Sequence, residues 1–320
     1  MNWDKVKAKL LPAHERRTGS FITPSVVLDL QPGFVAGARL DRSSREVRRT
    51  VVRKLDDGVL VPLPSRPNLA KPEVVRRVVR EVLQTVGSGG RLGILLPDSS
   101  VRVAILQFES LPGRHEEAEA LVRWKMSGIL PFPSEEARVS FQVLSEQDKD
   151  VELLAIALRN SVVAEYESAF EELCGSPSLI LPVTVALLPL LPASPEGSHV
   201  LVHVCAGSVT TVVVAGDRIR FWRNHQVESR PEDGNGEVVQ EIARVVATCR
   251  DNLKTEVGDL WIYVRPPAAQ LLNEEIRKAA GPRVHFLAGS ALYSAALPPE
   301  EKEMFEKFGM PFAGLLANRT

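Results

Sequence analysis

One order of β and α signals occurs twice in this chain, and that duplication restricts the folds open to it more than any other feature. In the first half, short runs that read as β-strands stand at Val26–Leu30, Phe34–Leu40 and Val47–Lys54. They are parted by Pro32-Gly33 and by a polar turn from Asp41 to Arg45, and Asp57-Gly58 is a further hairpin signal. A proline-rich loop, Pro62–Pro67, leads to Pro72–Val86, where Val74, Val75, Val78, Val79 and Val82 mark one apolar helical face. Gly87–Gly90 ends that helix, because a left-handed terminus favours glycine. Three prolines within Leu187–Pro195 mark the passage to the second half. There the theme returns as strands Val200–Val204, Val209–Val214 and Ile219–Arg223, then a helix Glu237–Leu253 capped at Asn235 or Gly236. Strand Leu260–Val264, helix Ala268–Ala280, strand Arg283–Leu287 and a last helix near Ser290–Ala296 complete it.

A length of 320 residues supports two core-bearing halves, since single cores stop growing at about 250 to 300 residues. The net charge of −1 gives no global field toward nucleic acid or anionic lipid, so contact with either must be local. Cys174, Cys205 and Cys249 are far apart and form no CxxC pair, which speaks against a disulfide framework or a zinc site and fits a reducing cytoplasm. No run reaches the roughly 18 to 20 apolar residues of a membrane span.

Between the two repeats lies extra material. Leu92–Leu144 reads as strand, turn at Leu96-Pro97-Asp98-Ser99-Ser100, strand, amphipathic helix through Leu121–Lys125, a rigid turn at Leu130–Pro133, and strand again. Val151–Leu158 then reads as a buried strand, Ser161–Leu173 as a helix stopped near Gly175, and Leu179–Val185 as an apolar run. At the other end, residues 1–24 carry Trp3, Val6 and Leu10 at helical spacing among Lys5, Lys7 and Lys9. That extension is either a basic amphipathic helix for a membrane or partner, or a frayed terminus.

A duplicated unit of three-stranded meander, helix, strand and helix resembles the actin-like, ribonuclease-H-like α/β arrangement of two lobes. The segment Leu96–Leu144, with Leu111-Pro112 and Ile129-Leu130-Pro131-Phe132-Pro133, is similar to the insertion of type IV pilus assembly proteins of the PilM kind. Val151–Leu191, Glu241-Ile242 and Gly314-Leu315 also fit. The resemblance implies an extension at 1–24, a first lobe at 25–190 with an α+β insertion at about 98–175, and a second lobe at 191–320.

By resemblance, each lobe offers a hairpin turn to nucleotide phosphate. The family's first hairpin has the form Asp-Ile-Gly-small-small-small-Val-Lys, and here stands Asp29-Leu30-Gln31-Pro32-Gly33-Phe34-Val35-Ala36, without the glycine or the lysine. The second has the form Asp-Ile-Gly-Ala-small-small, and here stands His203-Val204-Cys205-Ala206-Gly207-Ser208. A later Gly-Gly pair falls at Arg265-Pro266-Pro267. Asp29, Gly33, Gly207 and Ser208 are therefore the candidate, vestigial nucleotide contacts for ATP and magnesium. Losing the lysine contact costs about 1.5 to 3 kcal/mol and forcing a non-glycine residue into a left-handed turn about 1 to 2 kcal/mol. Together they weaken binding on the order of 60-fold to several thousandfold. The expectation is a pseudo-ATPase with no catalytic residue and no resident cofactor, serving as a cytoplasmic adaptor at the inner membrane. Its expected partner is the N-terminal cytoplasmic peptide of a single-span pilus protein, with pilus motor or platform proteins and further copies of the chain as additional partners and no nucleic acid. An active ATPase of the same fold and the cytoplasmic part of a type II secretion platform are the alternatives.

Other signals are less specific. His203 and Cys205 form an i, i+2 pair without third and fourth metal ligands, so a hydrogen-bonded strand histidine is the simpler reading. P-loop and zincin motifs do not occur, and Gly87–Gly90 and Gly234-Asn235-Gly236 read as helix caps. Trp124 either anchors a partner or packs between helix and sheet. The apolar segment Met304, Phe305, Phe308, Met310, Phe312 either docks on its own lobe or faces another subunit.

Overall fold

The computed structural model describes residues 23–147, 150–192, 194–205, 207–216, 218–227, 236–251, 253, 257–265, 274–276, 283–287 and 291–317. The short N-terminal helix considered around Trp3, Val6 and Leu10 and most of the helix expected at Ala268–Ala280 lie outside them. The chain divides into two units: Leu190–Ala288, and a first lobe that runs to Pro189 and also takes up Gly289–Thr320.

In the first lobe, β1 (Val26–Gln31), β2 (Phe34–Asp41) and β3 (Glu46–Lys54) form an antiparallel meander. Helix α1 (Pro72–Val86) follows, then β4 (Leu92–Leu96), and β8 (Leu179–Pro182) completes a five-stranded sheet in the order β3-β2-β1-β4-β8. The last two strands run parallel to β1. Every residue of β1 and β4 is buried, as expected of strands covered on both faces. Helix α1 starts on Pro72, whose missing N–H is no loss in a first turn, and ends at Gly87 with φ of 80°. Its buried residues, Val75, Val78, Val79, Val82, Leu83 and Val86, recur at helical spacing and face β2 and β3. A Cβ at Gly37 of β2 would collide with Val82, so the strand packs on the helix at a distance that excludes any side chain there.

The second lobe repeats this plan strand for strand. β9 (Ser194–Cys205), β10 (Ser208–Gly216) and β11 (Arg218–Gln226) form the meander, and helix α5 (Gly236–Asp251), β12 (Asp259–Val264) and β13 (Val284–Phe286) follow. The sheet order is β11-β10-β9-β12-β13, with β12 parallel to both neighbours. Val200, Val202, Val204, Leu260, Ile262 and Val264 join Val238, Ile242 and Val245 of α5 in one core. The side chain of Glu241, fully buried in that helix, is held by Arg223 at 2.7 Å and Arg244 at 2.5 Å, so its charge is compensated.

The insertion is a separate small layer. β5 (Arg102–Phe108), β6 (Ala137–Gln147) and β7 (Asp150–Arg159) make an antiparallel sheet in the order β5-β7-β6. Helix α2 (His115–Met126) covers one face through Ala118, Val122 and Met126, which sit against Leu153, Ala155, Ala157, Val139 and Phe141. Helix α3 (Asn160–Cys174) returns the chain and packs on α1 and β7.

The C-terminal assignment differs from the sequence expectation. Residues after Gly289 were expected in the second lobe, yet α6 (Ala291–Ser294), α7 (Pro299–Phe308) and α8 (Met310–Leu316) belong to the first. Phe305, Met310, Phe312, Leu315 and Leu316 are buried, and α8 lies against α4 (Val183–Leu187). Phe308 meets Phe34 edge to face at 4.8 Å. Glu301 accepts the backbone N–H of Thr50 at 2.7 Å and pairs with Arg49 at 3.2 Å, so α7 satisfies part of the free edge of β3.

A polar knot joins loop, insertion and lobe. Glu165 of α3 accepts the backbone N–H of Asn68 at 2.5 Å and of Leu69 at 2.9 Å, and Ser100 donates to the Asn68 side-chain carbonyl at 2.5 Å. Burial raises the Glu165 carboxyl above its ordinary range, and the two amides only partly reverse this. A carboxyl that holds its proton more tightly folded than unfolded adds stability below its unfolded value and loses that contribution as pH rises through the folded one. The natural chain is therefore expected to lose stability relative to Glu165→Gln as pH rises above the ordinary carboxyl range of about 4 in urea unfolding. A gap that stays constant, or moves in favour of glutamate, would remove burial as the dominant influence.

Candidate functional site

The two hairpins singled out by sequence occupy equivalent places, one in each lobe. In the first, Gln31 and Phe34 pair across the two-residue turn Pro32-Gly33. Gly33 has φ of 90°, the region that the second central position of a proline-led turn requires. In the second, Cys205 pairs with Ser208 and Gly207 has φ of 78°. The Ser208 hydroxyl donates to the Cys205 carbonyl at 3.3 Å. The expected strain of a non-glycine residue in a left-handed turn is thus corrected: Gln31 and Cys205 close β1 and β9 in register, and glycine holds the left-handed position in each turn.

Asp29 and Gln31 stand two residues apart on β1, so their side chains share one face of the strand. Both are buried, and the Gln31 amide donates to Asp29 Oδ1 at 2.7 Å. The residue that stands where the resemblance has glycine is thus also the donor that engages Asp29. A second carboxylate at the same end of the sheet was not singled out by the sequence. Asp98, just past the C-terminal end of β4, is buried and accepts from the Thr184 backbone N–H at 3.1 Å and from its hydroxyl at 2.5 Å. The sequence signal was present in Pro97-Asp98-Ser99-Ser100 but read as a turn, because Thr184 lies 86 residues away.

In the second lobe, His203 is buried and stacks on Tyr263 of the neighbouring strand, with ring centres 5.7 Å apart and planes 15° apart. The guanidinium of buried Arg265 lies over the other partner of that stack, 5.5 Å from the Tyr263 ring. Among the described residues there is no cluster of His, Cys, Asp or Glu suited to a metal ion, and His203 and Cys205 do not form one. Cys205 and Cys249 are both buried and outside any disulfide, and burial pushes the Cys249 thiol up. No helix among the described residues is long and apolar enough to cross a membrane.

The insertion carries the most exposed large aromatic side chain among the described residues. Trp124 of α2 is 70% exposed and Ile129, just beyond the helix, 47% exposed. The packing alternative for Trp124 is therefore not the one adopted: Val122 and Met126 fill the sheet side of the helix and Trp124 points away from it. Beside it, Lys125 lies over the Phe108 ring at 4.5 Å and donates to the Gln107 carbonyl of edge strand β5.

No protein-family model and no curated protein matches the sequence. Solved structures do. A chain of a structure described as a PilM-PilN type IV pilus biogenesis complex is similar, with a TM-score of 0.78 and 17% identity over 91% of this chain and 97% of that one. A Bacteroides thetaiotaomicron VPI-5482 protein described as having an actin-like ATPase fold is similar at a TM-score of 0.55 and 12% identity, over 89% of this chain and 93% of that one. The fold of this chain is the actin-like ATPase fold, and its likeness to the PilM-PilN structure extends over nearly the whole of both chains.

Replacing Gln31 by Ala removes a hydrogen bond to a buried charge and is expected to cost about 1.5 to 3 kcal/mol in urea unfolding. The same replacement beside Asp29→Asn is expected to cost about 1 kcal/mol or less, because a neutral acceptor gains less from the bond. Equal costs in both backgrounds would mean that Gln31 acts through packing alone.

Proposed function

We propose that this chain is a cytoplasmic actin-like adaptor of a type IV pilus or a related inner-membrane machine, in which the turns that serve nucleotide in the fold no longer support tight ATP binding. The observation that carries the reading is the Gln31 amide at 2.7 Å from Asp29 Oδ1, in the turn where the resemblance expects glycine. A carboxylate with one oxygen already engaged by a neighbouring amide has less to offer a magnesium ion or its waters. Asp98 is likewise engaged, by Thr184. With no lysine at Ala36, the charge-assisted phosphate contact has no donor in the first turn.

The adaptor part draws support from the similarity to a chain of a PilM-PilN complex and from the surface that the insertion offers. The proposed partner is the N-terminal cytoplasmic peptide of a single-span inner-membrane protein, received by the first lobe and insertion as an extended segment with apolar anchors. Trp124 and Ile129 supply the exposed apolar side chains of that region. Attachment to the membrane would then run through the partner.

Calorimetric titration with two ligands tests both parts. Magnesium-ATP is expected to show no saturable binding at low micromolar concentration, whereas the N-terminal peptide of a single-span protein encoded beside this chain is expected to bind. Trp124→Ala is expected to weaken the peptide on the order of 30-fold, the effect of losing an anchor worth about 2 kcal/mol. Tight magnesium-dependent ATP binding would overturn the first part. A folded sample that ignores the peptide would overturn the second.

A further inference from the structure

Charge is unevenly distributed along the chain. Between Arg39 and Arg91 there are thirteen Lys and Arg against six Asp and Glu, an excess of seven in a chain whose net charge is −1. The rest therefore carries −8, and the excess is a property of β2, β3, α1 and their connections.

Their packing sets α1 against β2 and β3 in the first lobe. Helix α1 lies across β2 and β3, and the Arg39 side chain donates to the Val86 carbonyl at 2.5 Å, fixing the end of α1 near the end of β2. Several of the cations are neutralised. Arg48 pairs with Asp41 at 3.0 Å and Glu46 at 2.9 Å, and Arg49 pairs with Glu301 at 3.2 Å. Others are not, and among them Arg42 and Arg45 in the β2–β3 turn, and Arg76, Arg77 and Arg80 on α1, are exposed and have no side-chain ion pair or hydrogen bond among the described residues. Arg76 and Arg80 stand one helical turn apart on the same face, with Arg77 beside them. Glu73 and Glu81 flank the row and leave it a surplus of one, to which the turn adds two.

Asp41 shapes that turn. It accepts the Ser43 backbone N–H at 2.9 Å, the Ser43 hydroxyl at 2.6 Å and the Ser44 N–H at 3.3 Å, and the Ser43 hydroxyl is the largest influence holding its carboxyl well below the usual range. With its carboxylate turned inward to the backbone, the tip presents the two arginines. Arg45 itself has φ of 53°, the only non-glycine positive value among the described residues.

We infer that the outer face of α1 and the Arg42–Arg45 turn form a docking surface for the anionic phosphate headgroups of a lipid bilayer. Guanidinium forks match phosphate oxygens in geometry and charge. The five side chains stand on the outside of a helix and on a hairpin tip, both protruding elements, which suits a planar array of phosphates better than an acidic peptide that needs a concave seat. This surface is separate from the Trp124 region and does not depend on the adaptor reading.

Vesicle flotation of the full chain decides it. Vesicles of phosphatidylethanolamine with phosphatidylglycerol are expected to carry the protein at about 0.1 M salt and to release it at about 0.5 M, as screening of surface charges requires. Vesicles of phosphatidylcholine alone are expected to carry none. Arg76→Gln with Arg77→Gln and Arg80→Gln is expected to lower partitioning on the order of a hundredfold, since each arginine near an anionic surface is worth a factor of about five to ten. The triple lysine variant at the same sites keeps the charge and is expected to retain most binding, which separates loss of charge from loss of fold. Trp124→Ala is expected to leave flotation unchanged. Binding to phosphatidylcholine, retention by the glutamine variant, or capture of a soluble hexaglutamate peptide with no flotation would each overturn the assignment.

Discussion

One carboxylate ties the proline-rich loop of the first lobe to the root of the insertion. Glu165 reaches from α3 to the backbone N–H groups of Asn68 and Leu69, at the end of a loop whose prolines remove donors and fix direction. Asn68 in turn donates to the Leu63 and Arg66 carbonyls at 2.7 and 2.8 Å and accepts from Ser100 at the start of the insertion. Three segments distant in sequence thus close on one buried site. A loop of this kind has few backbone partners of its own, and buried amides left unsatisfied cost about 1 to 3 kcal/mol each. The insertion departs at Ser100 and returns through α3, so the same contacts that hold the loop also set the root of the insertion. Arg159 strengthens that root by pairing with Glu136 at 2.6 Å and donating to the Ser65 carbonyl.

The turns at the ends of β1 and β9 follow a related logic. In each, glycine keeps the backbone geometry while the neighbouring strand positions carry side chains with hydrogen-bonding or stacking capacity. Gln31 engages Asp29, Thr184 engages Asp98, and His203 stacks on Tyr263 beneath Arg265. Buried polar groups need partners, and in the proposed reading these are internal ones, where a nucleotide-dependent relative would use phosphate, magnesium and water. The lobes can keep their architecture because it rests elsewhere, on the valine-rich faces of α1 and α5 and on strands buried on both sides.

What was legible in the sequence follows from range. The meanders, α1, α5 and the insertion helix were visible because periodicity of valines and turn glycines is a local signal, and the duplicated order then gave the fold. Contacts across long separations were not. The docking of α8 on α4 depends on Met310, Phe312, Leu315 and Leu316 meeting residues over a hundred positions earlier, and an apolar run near a terminus does not name the lobe it covers. Asp98 was read as a turn former because its partner Thr184 cannot be found from spacing. Trp124 shows a different limit. Helical phase places it off the Ala118, Val122, Met126 stripe, yet tryptophan is so often buried that its residue type argued for the core. Gln31 was seen as the loss of a glycine, whereas its gain, a donor for Asp29, needed the strand register.

An apolar anchor on the insertion and a basic face on α1 would be weak contacts when taken singly. Three uncompensated charges on a lobe surface give an association that weakens steeply as salt rises, and a peptide ordered on binding loses part of its contact energy to entropy. Both weaknesses lessen if the peptide belongs to a protein already fixed in the bilayer. Binding the tail would then hold the arginines within a short tether of the headgroups, where effective concentrations reach the millimolar range and the second contact no longer bears the full entropic cost of association. An adaptor built this way needs no nucleotide to regulate its position. Its occupancy at the membrane would follow the product of two modest affinities, so either contact could be tuned by a single substitution without disturbing the paired sheets that carry both.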